Sequence, residues 1–373
     1  MTFFEEIENI EDHRVDANKD YDLADMIFLT SSAVLCGARG WKAIKIFGEA
    51  QLDWLRKFRT FENGIPTRHS IGRIIRGIKS DSLISCFISF SNDIRDTTKR
   101  EHISFDGKVL RGSKHADDIN ALQLMTAMVV ESGLIIYQKE TESKTNEIPI
   151  MQSMLSSMDI KGAVISADAM HCQTETAKIS REAGADYSLQ VKNNQKKLLT
   201  EIKGYFHKIR RDAPQLLEAN HFQEKETSHG RVNRRDYRLL PITDWFDETE
   251  KFQDSYAVVE VERTRKLKNK TTNETSYYIT SLKDDVETVA GYIRRHWAIE
   301  NSQHWLLDVT FREDECQIYA EDGAKNLATV RRTLLNLVKE HPLKDSVAGK
   351  LQRACWDANF REEILFGCKI TNA

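Results

Sequence analysis

From Leu122 to Val130 nearly every residue is apolar. A strand with water on one face alternates apolar and polar side chains; one covered on both faces has no need to. The run therefore reads as a central strand. Glu131-Ser132-Gly133 closes it as a turn, and Leu134 to Lys139 returns as its hairpin partner. Upstream, His102 to Val109 alternates, with Ile103 and Phe105 pointing one way and Ser104 and Asp106 the other.

Downstream, strands and helices take turns. A helix is expected near Asn146 to Met158, with Pro149 in its first turn and Ile150, Met154, Leu155 and Met158 facing inward. Ala163 to Ala167 reads as a short buried strand that ends at Asp168. Thr174 to Ala183 is a helix stopped by Gly184, Tyr187 to Val191 is another strand, and Asn194 is placed to cap a helix starting at Gln195. The order β-β-β-α-β-α-β-α, with one acid on the first strand and another ending the fourth, is that of the ribonuclease H-like fold. The region from about 209 to 283 breaks this rhythm. It reads as a β-rich insertion, with strands at Asp236–Leu240, Tyr256–Glu262 and Ser276–Thr280. Helical patterning resumes at Val286 and runs through Trp297 and Glu300; a further helix covers roughly Gly323 to Val338.

Residues 1–96 read as helical. Leu23, Met26, Ile27 and Thr30 share a stripe, as do Trp41, Ile44, Phe47 and Gly48. After Pro66-Thr67, Ile71, Ile74, Ile75 and Ile78 follow i, i+3, i+4, i+7, while Arg68, Arg73, Arg76 and Lys79 give the same helix a cationic side. Such a helix suits DNA contact and equally suits a solvated outer face. The expected class is α/β: a ribonuclease H-like catalytic core with a β-rich insertion, preceded by a small all-helical N-terminal domain. The expected boundaries are 1–96, 97–340 and a helical tail at 341–373.

With 373 residues, 40% hydrophobic and 30% charged, the chain suits a soluble globular protein of two or three units. No apolar run is long enough to span a bilayer, and the N-terminus lacks a secretion pattern. Six scattered cysteines with no CxxC pair suggest the cytoplasm. A net charge of −3 weighs against nucleic acid, yet Leu189 to Leu240 holds 12 Lys and Arg against 6 Asp and Glu.

Cutting a phosphodiester with metal ions needs carboxylates that converge from rigid elements. Asp106 sits between apolar neighbours, where a charge is costly unless paired or metal-bound. Gly107 beside it leaves room for a phosphate or a metal to approach. Asp168 lies just past a buried strand, where α/β sheets carry their sites. Glu300 shares one helical face with His296 and His304 at i−4 and i+4, flanked by Trp297, Asn301 and Trp305. Zinc on His296, Glu300 and His304 is a rival reading, with no supporting cluster elsewhere.

Several ordered segments resemble the ISAs-type insertion-sequence DDE transposases, the H-repeat-associated proteins. They are Phe61-Glu62-Asn63-Gly64-Ile65-Pro66, Phe105-Asp106-Gly107-Lys108, Asn146-Glu147-Ile148, Asp168-Ala169-Met170-His171-Cys172-Gln173, Val191-Lys192-Asn193-Asn194-Gln195, Ser228-His229-Gly230-Arg231 and His296 through Val309. The resemblance implies a catalytic and metal-binding triad of Asp106, Asp168 and Glu300. It also implies two Mg²⁺ ions, with Mn²⁺ as a substitute, and a homodimer acting on double-stranded DNA with no membrane partner. Lys108, Lys192, His229, Arg231, His296, Trp297, Asn301 and His304 would join Arg68, Arg73 and Arg76 on the DNA. Two departures stand out: Asn193 replaces a glycine, and of a Tyr-Arg-Glu-Lys signature found in related transposases Tyr292 is present while His296 fills the arginine register and Leu307 the lysine register. Asp308 and Asp314 are nearby acids that compete with Glu300 for the third place. A nuclease without strand transfer and a silent DNA-binding remnant are the alternatives.

Overall fold

A computed structural model of the chain describes residues 3–15, 19–114, 121–141, 147–228, 231–243, 246–267 and 270–367. Asn146, His229 and the side chain of Asn301 lie outside what it describes. One nine-stranded sheet organises the molecule, in the order β3-β2-β1-β4-β5-β9-β8-β7-β6. The strands are β1 His102–Val109, β2 Gln123–Val129, β3 Ile135–Thr141, β4 Val164–Ala167 and β5 Asp186–Val191. The meander that follows is β6 His221–Ser228, β7 Arg231–Pro241, β8 Ala257–Leu267 and β9 Lys270–Thr280. β4 is parallel to both β1 and β5, and the remaining pairs are antiparallel. β2 is buried at every residue, as its apolar run requires.

The β-rich segment does not stand apart. β9 pairs with β5 from Ser188↔Thr280 to Val191↔Tyr277, so the meander prolongs the core sheet. Its strands begin at His221, later than the expected 209, because the helices Lys196–Asp212 and Pro214–Ala219 come first. β6 is an edge strand rich in charged and polar residues, and it carries no apolar alternation that would announce it.

One face of the sheet packs Ile103, Phe105, Met125, Ile165 and Leu189 against Met151, Met154 and Leu155 of the helix Glu147–Ser157 and against Leu198, Ile202 and Phe206. The inward face of that helix differs from expectation: Glu147 and Met151 are buried, and Ile150 and Met158 only partly so. The opposite face packs Val164, Tyr237, Leu239 and Val259 against Val289, Ala290 and Ile293 of the helix Val286–Arg295.

The N-terminal helices share a single core with those at the C-terminus, from Phe3 and Phe28 to Leu334, Phe360 and Ile364. Asn326 anchors the cationic helix by donating to the carbonyls of Ile75 (2.8 Å) and Ile78 (2.9 Å). That helix runs Arg68–Arg76, with Thr67 accepting from the Ser70 amide, and ends at Gly77. Lys79 is therefore not on it, contrary to its spacing, but precedes the next helix, Ser80–Asp93. Among the described residues no helix is long and apolar enough to cross a membrane.

Candidate active site

Parallel pairing of β1 with β4 matches Phe105 to Ala167, so Asp106 on β1 and Asp168, the residue that follows β4, come next in that register. Alternation puts Asp106 on the same face as Ser104 and Lys108, the face covered by the helix that continues past Arg295. The Asp106 carboxyl is pushed up to about 7, first by burial, then by the charge of Asp168, with Glu300 and Glu147 adding to it. The Glu300 side chain is open to solvent, and its carboxyl is raised by partial desolvation and then by the charge of Asp168. The three acids thus feel one another. Asp168 is instead held below the usual range, chiefly by its contact with His296, with Lys192 adding to this.

Two histidines brace the pair. His296 places Nδ1 at 3.0 Å from Ser104 Oγ and 2.9 Å from Ser166 Oγ, and Nε2 at 3.6 Å from Asp168 Oδ1. His304 Nδ1 lies 3.4 Å from Asp106 Oδ2. Burial, then the charges of Lys108 and Arg332, lower His304 to about 3, so it is a neutral ring at pH 7.

The even i, i+4, i+8 stripe is not what forms. The helix is interrupted after Arg295, and Glu300–His304 is a π-helical turn. Widened turns of this kind are frequent at functional sites. Here the turn swings His304 to Asp106 and lets Gln303, fully buried, donate to Thr126 Oγ1 at 3.0 Å. His296 and His304 therefore serve different aspartates, which undoes the zinc reading. Among the described residues no three His, Cys, Asp or Glu side chains approach closely enough to hold a metal together.

Gly107 does not open a path for a phosphate. The space its side chain would occupy is filled by Glu147: a Cβ there would sit 3.1 Å from Glu147 Oε1. This buried carboxylate accepts from Gln123 Nε2 and lies 3.8 Å from His171 Nε2. Burial lowers His171 to about 4. A carboxylate at the first turn of an otherwise apolar helical face was the available signal for Glu147. Asn194 does not cap its helix either; it donates to the Ala169 carbonyl at 2.7 Å and props the loop carrying Asp168.

Lys108 is buried and bound to Asp308 (2.5 Å) and Asp314 (3.6 Å), which occupies both rival acids. Leu307, in the lysine register, is core. Lys192 is exposed and lines a cavity of about 540 Å³ with Asp168. Trp297 lines a second of about 440 Å³ with Glu300, and Lys192 borders both. Arg68, Arg73 and Arg76 line a third cavity of about 890 Å³ with Trp41 and Lys42; it shares no residue with the other two. Arg231 is exposed at the start of β7.

A family model described as a transposase DDE domain matches residues 97–337, and one described as DDE_Tnp_1-associated matches residues 4–91. The transposase-named protein YncI of Escherichia coli O157:H7 is 32% identical over 369 residues, covering 96% of this chain and 93% of its own. The H repeat-associated, transposase-named protein YhhI of Escherichia coli strain K12 is 32% identical over 377 residues, covering 98% of each. In fold the chain is similar to a piggyBac transposase, solved as a synaptic complex with hairpin DNA. The TM-score is 0.51 at 12% identity, covering 98% of this chain and 78% of that one.

Proposed function

Because this chain belongs to the DDE transposase family, and is by that membership a DNA transposase, we propose that Asp106, Asp168 and Glu300 are its catalytic and metal-binding triad. The observation that carries the reading is the β1–β4 register, which brings Asp106 and Asp168 together, and the charge of Glu300 adds to the rise of the Asp106 carboxyl. The family works with divalent metal ions. We assign two Mg²⁺ ions here, replaceable by Mn²⁺, because the donors are hard carboxylate oxygens and crowded like charges call for a cation. Such ions activate the attacking oxygen and steady the leaving one. Glu300 would turn inward from its exposed position to complete the set.

The chain's own residues prepare the chemistry. His296, fixed by Ser104 and Ser166, orients Asp168. Neutral His304 lies beside Asp106 without adding a positive charge where a cation would sit. Lys192 and Arg231 are exposed and would engage phosphates. Lys108 acts at one remove, through Asp308 and Asp314. In the first step water attacks the phosphorus at the element end and a 3′-hydroxyl leaves. In the second, that hydroxyl attacks a phosphorus of the target, and the target strand breaks as the new bond forms.

The strand order β3-β2-β1-β4-β5 supports a ribonuclease H-like core at 97–340. Residues 1–96 would present Arg68, Arg73 and Arg76 to double-stranded DNA, built onto the catalytic unit through the shared C-terminal helices. A homodimer would bring two element ends together, in the cytoplasm.

Cleavage of a duplex carrying an element end tests the triad. Asp106→Asn should lower Mg²⁺-dependent cleavage on the order of 10³-fold or more, equivalent to about 4 kcal/mol of barrier, while DNA binding persists. Undiminished cleavage would remove Asp106 from the triad. A pre-cleaved end offered a target plasmid should yield joined product; hydrolysis alone would mark a nuclease.

A further inference from the structure

The meander carries a second charged constellation on the same face as the acids. On β7 and β8, Arg235 lies directly opposite Arg263, and Asn233 opposite Arg265. Like charges placed directly across a strand pair destabilise the sheet. Arg294, on the helix Val286–Arg295, comes from above to the same place. These four arginines and Lys192 line the cavity of about 440 Å³ that also holds Trp297 and Glu300. That cavity meets the one beside Asp168 through Gln190, Lys192, Glu274 and Ser276.

The acids at the groove, Glu224, Glu226, Glu274 and Glu300, number one fewer than its five cations. Glu224 and Glu226 on the edge strand β6 hold Arg235 at 2.9 and 3.5 Å and Arg294 at 3.4 and 3.0 Å. Arg263 has Glu274 at 3.8 Å, and Arg265 reaches Asn233 Oδ1 at 3.3 Å. Burial and the charges of Arg265 and Arg235 lower Arg263 below its ordinary value. Burial is the larger cause, the neighbouring guanidinium charges add to it, and Glu274 offsets them only in part.

We propose that the groove formed by Arg235, Arg263, Arg265 and Arg294 binds the phosphate backbone of the DNA strand that runs away from the cleavage point, with Trp297 at its mouth beside Glu300. This rests on the transposase reading and adds the insertion as the element that holds that strand. The groove begins at a catalytic acid, so its occupant is continuous with the substrate. Guanidinium forks suit successive phosphates, and an aromatic ring at the mouth suits a base as the duplex opens.

The test is binding of the cleavage duplex by the full chain in EDTA, across a series of salt concentrations. The double variant Arg263→Gln/Arg265→Gln should weaken binding roughly tenfold or more and make the salt slope shallower by about 2. A control, Lys178→Gln/Lys344→Gln, removes two exposed lysines outside the groove and should leave both quantities near wild type. Thermal melting checks the fold. Should the double variant unfold, Arg265→Gln, which gives up the 3.3 Å contact with Asn233, should still make the slope shallower by about 1. An unchanged slope, or an equal change in the control, overturns the groove. Because the assay contains no divalent ion, it is independent of whether wild type cleaves in Mg²⁺, which judges the triad.

Discussion

The acidic centre and the arginine groove lie on one face of one sheet and pose the same electrostatic problem with opposite signs. At the centre, Asp106 is buried beside Asp168 and its carboxyl rises to about 7. In the groove, Arg263 stands across from Arg235, and its guanidinium is lowered first by burial and then by Arg265 and Arg235. The protein solves each problem only in part. His304 offers Asp106 a neutral ring, and Glu224 and Glu226 hold the outer side of Arg235 and Arg294. The contrast with the buried pair Arg332–Glu313 is instructive. There both side chains are fully buried and meet at 2.8 Å, so each charge is answered. Residual like charge therefore marks where an outside ion belongs: a cation at the centre and a polyanion in the groove.

The largest effect should come from removing the central charge. An aspartate moved from 3.8 to about 7 favours folding in its protonated form. That contribution is complete below the unfolded value near 3.8 and is lost as pH rises through about 7. At about 1.4 kcal/mol per pKa unit, the loss by pH 8 is at most roughly 4 kcal/mol. Asp106→Asn in EDTA should therefore melt higher than wild type at pH 8 and about equally at pH 4. Adding Mg²⁺ should narrow the gap by stabilising wild type alone. Equal melting at pH 8 would show that the central carboxylates are already balanced, and the contrast with the groove would fail.

The contact that confines Asp106 comes next. Gly107→Ala would place a methyl 3.1 Å from the Glu147 carboxylate, which Gln123 and His171 hold in place. Overpacking of this kind costs about 1–3 kcal/mol, and any shift of β1 moves Asp106 with it. Lower stability together with lower cleavage is the expected result, read by melting and by the duplex assay. Full activity with full stability would mean that Glu147 moves aside without consequence.

Much of this geometry was legible in the chain. Alternation in Ile103 to Lys108 gave β1 its limits, and the unbroken apolar run gave β2, because burial on one or two faces writes directly into residue pattern. Asp168 was placed by the end of its short strand. What stayed hidden depends on partners distant in sequence. The π-helical turn at Glu300–His304 accompanies the contacts of Gln303 with Thr126 and His304 with Asp106, neither of which has a local signature. The pairing of β5 with β9 joins residues about 90 positions apart, as in Leu189↔Ile279. β6 is polar after Phe222, and its cross-strand charges, such as Glu224 with Arg235, stand where an apolar alternation would otherwise be expected. The groove arginines, spread over two strands and a helix, become one feature only once the meander is paired.

The smallest effect separates the two sites most sharply, because it asks whether the groove, like the centre, is held at a cost to the free protein. Arg263→Gln removes the like charge facing Arg235 and surrenders a 3.8 Å approach to Glu274. An ion pair that long and partly exposed contributes at most a few tenths of a kcal/mol, while relief of a cross-strand repulsion is worth roughly 0.2–1 kcal/mol. The variant should therefore be as stable as wild type or slightly more stable at low salt, with the gain shrinking as salt screens the arginines. In the presence of the duplex the order should reverse, because wild type gains more from the bound phosphates. A variant less stable than wild type without DNA would mean that Glu274 already neutralises Arg263, and that the groove is a structural ion network.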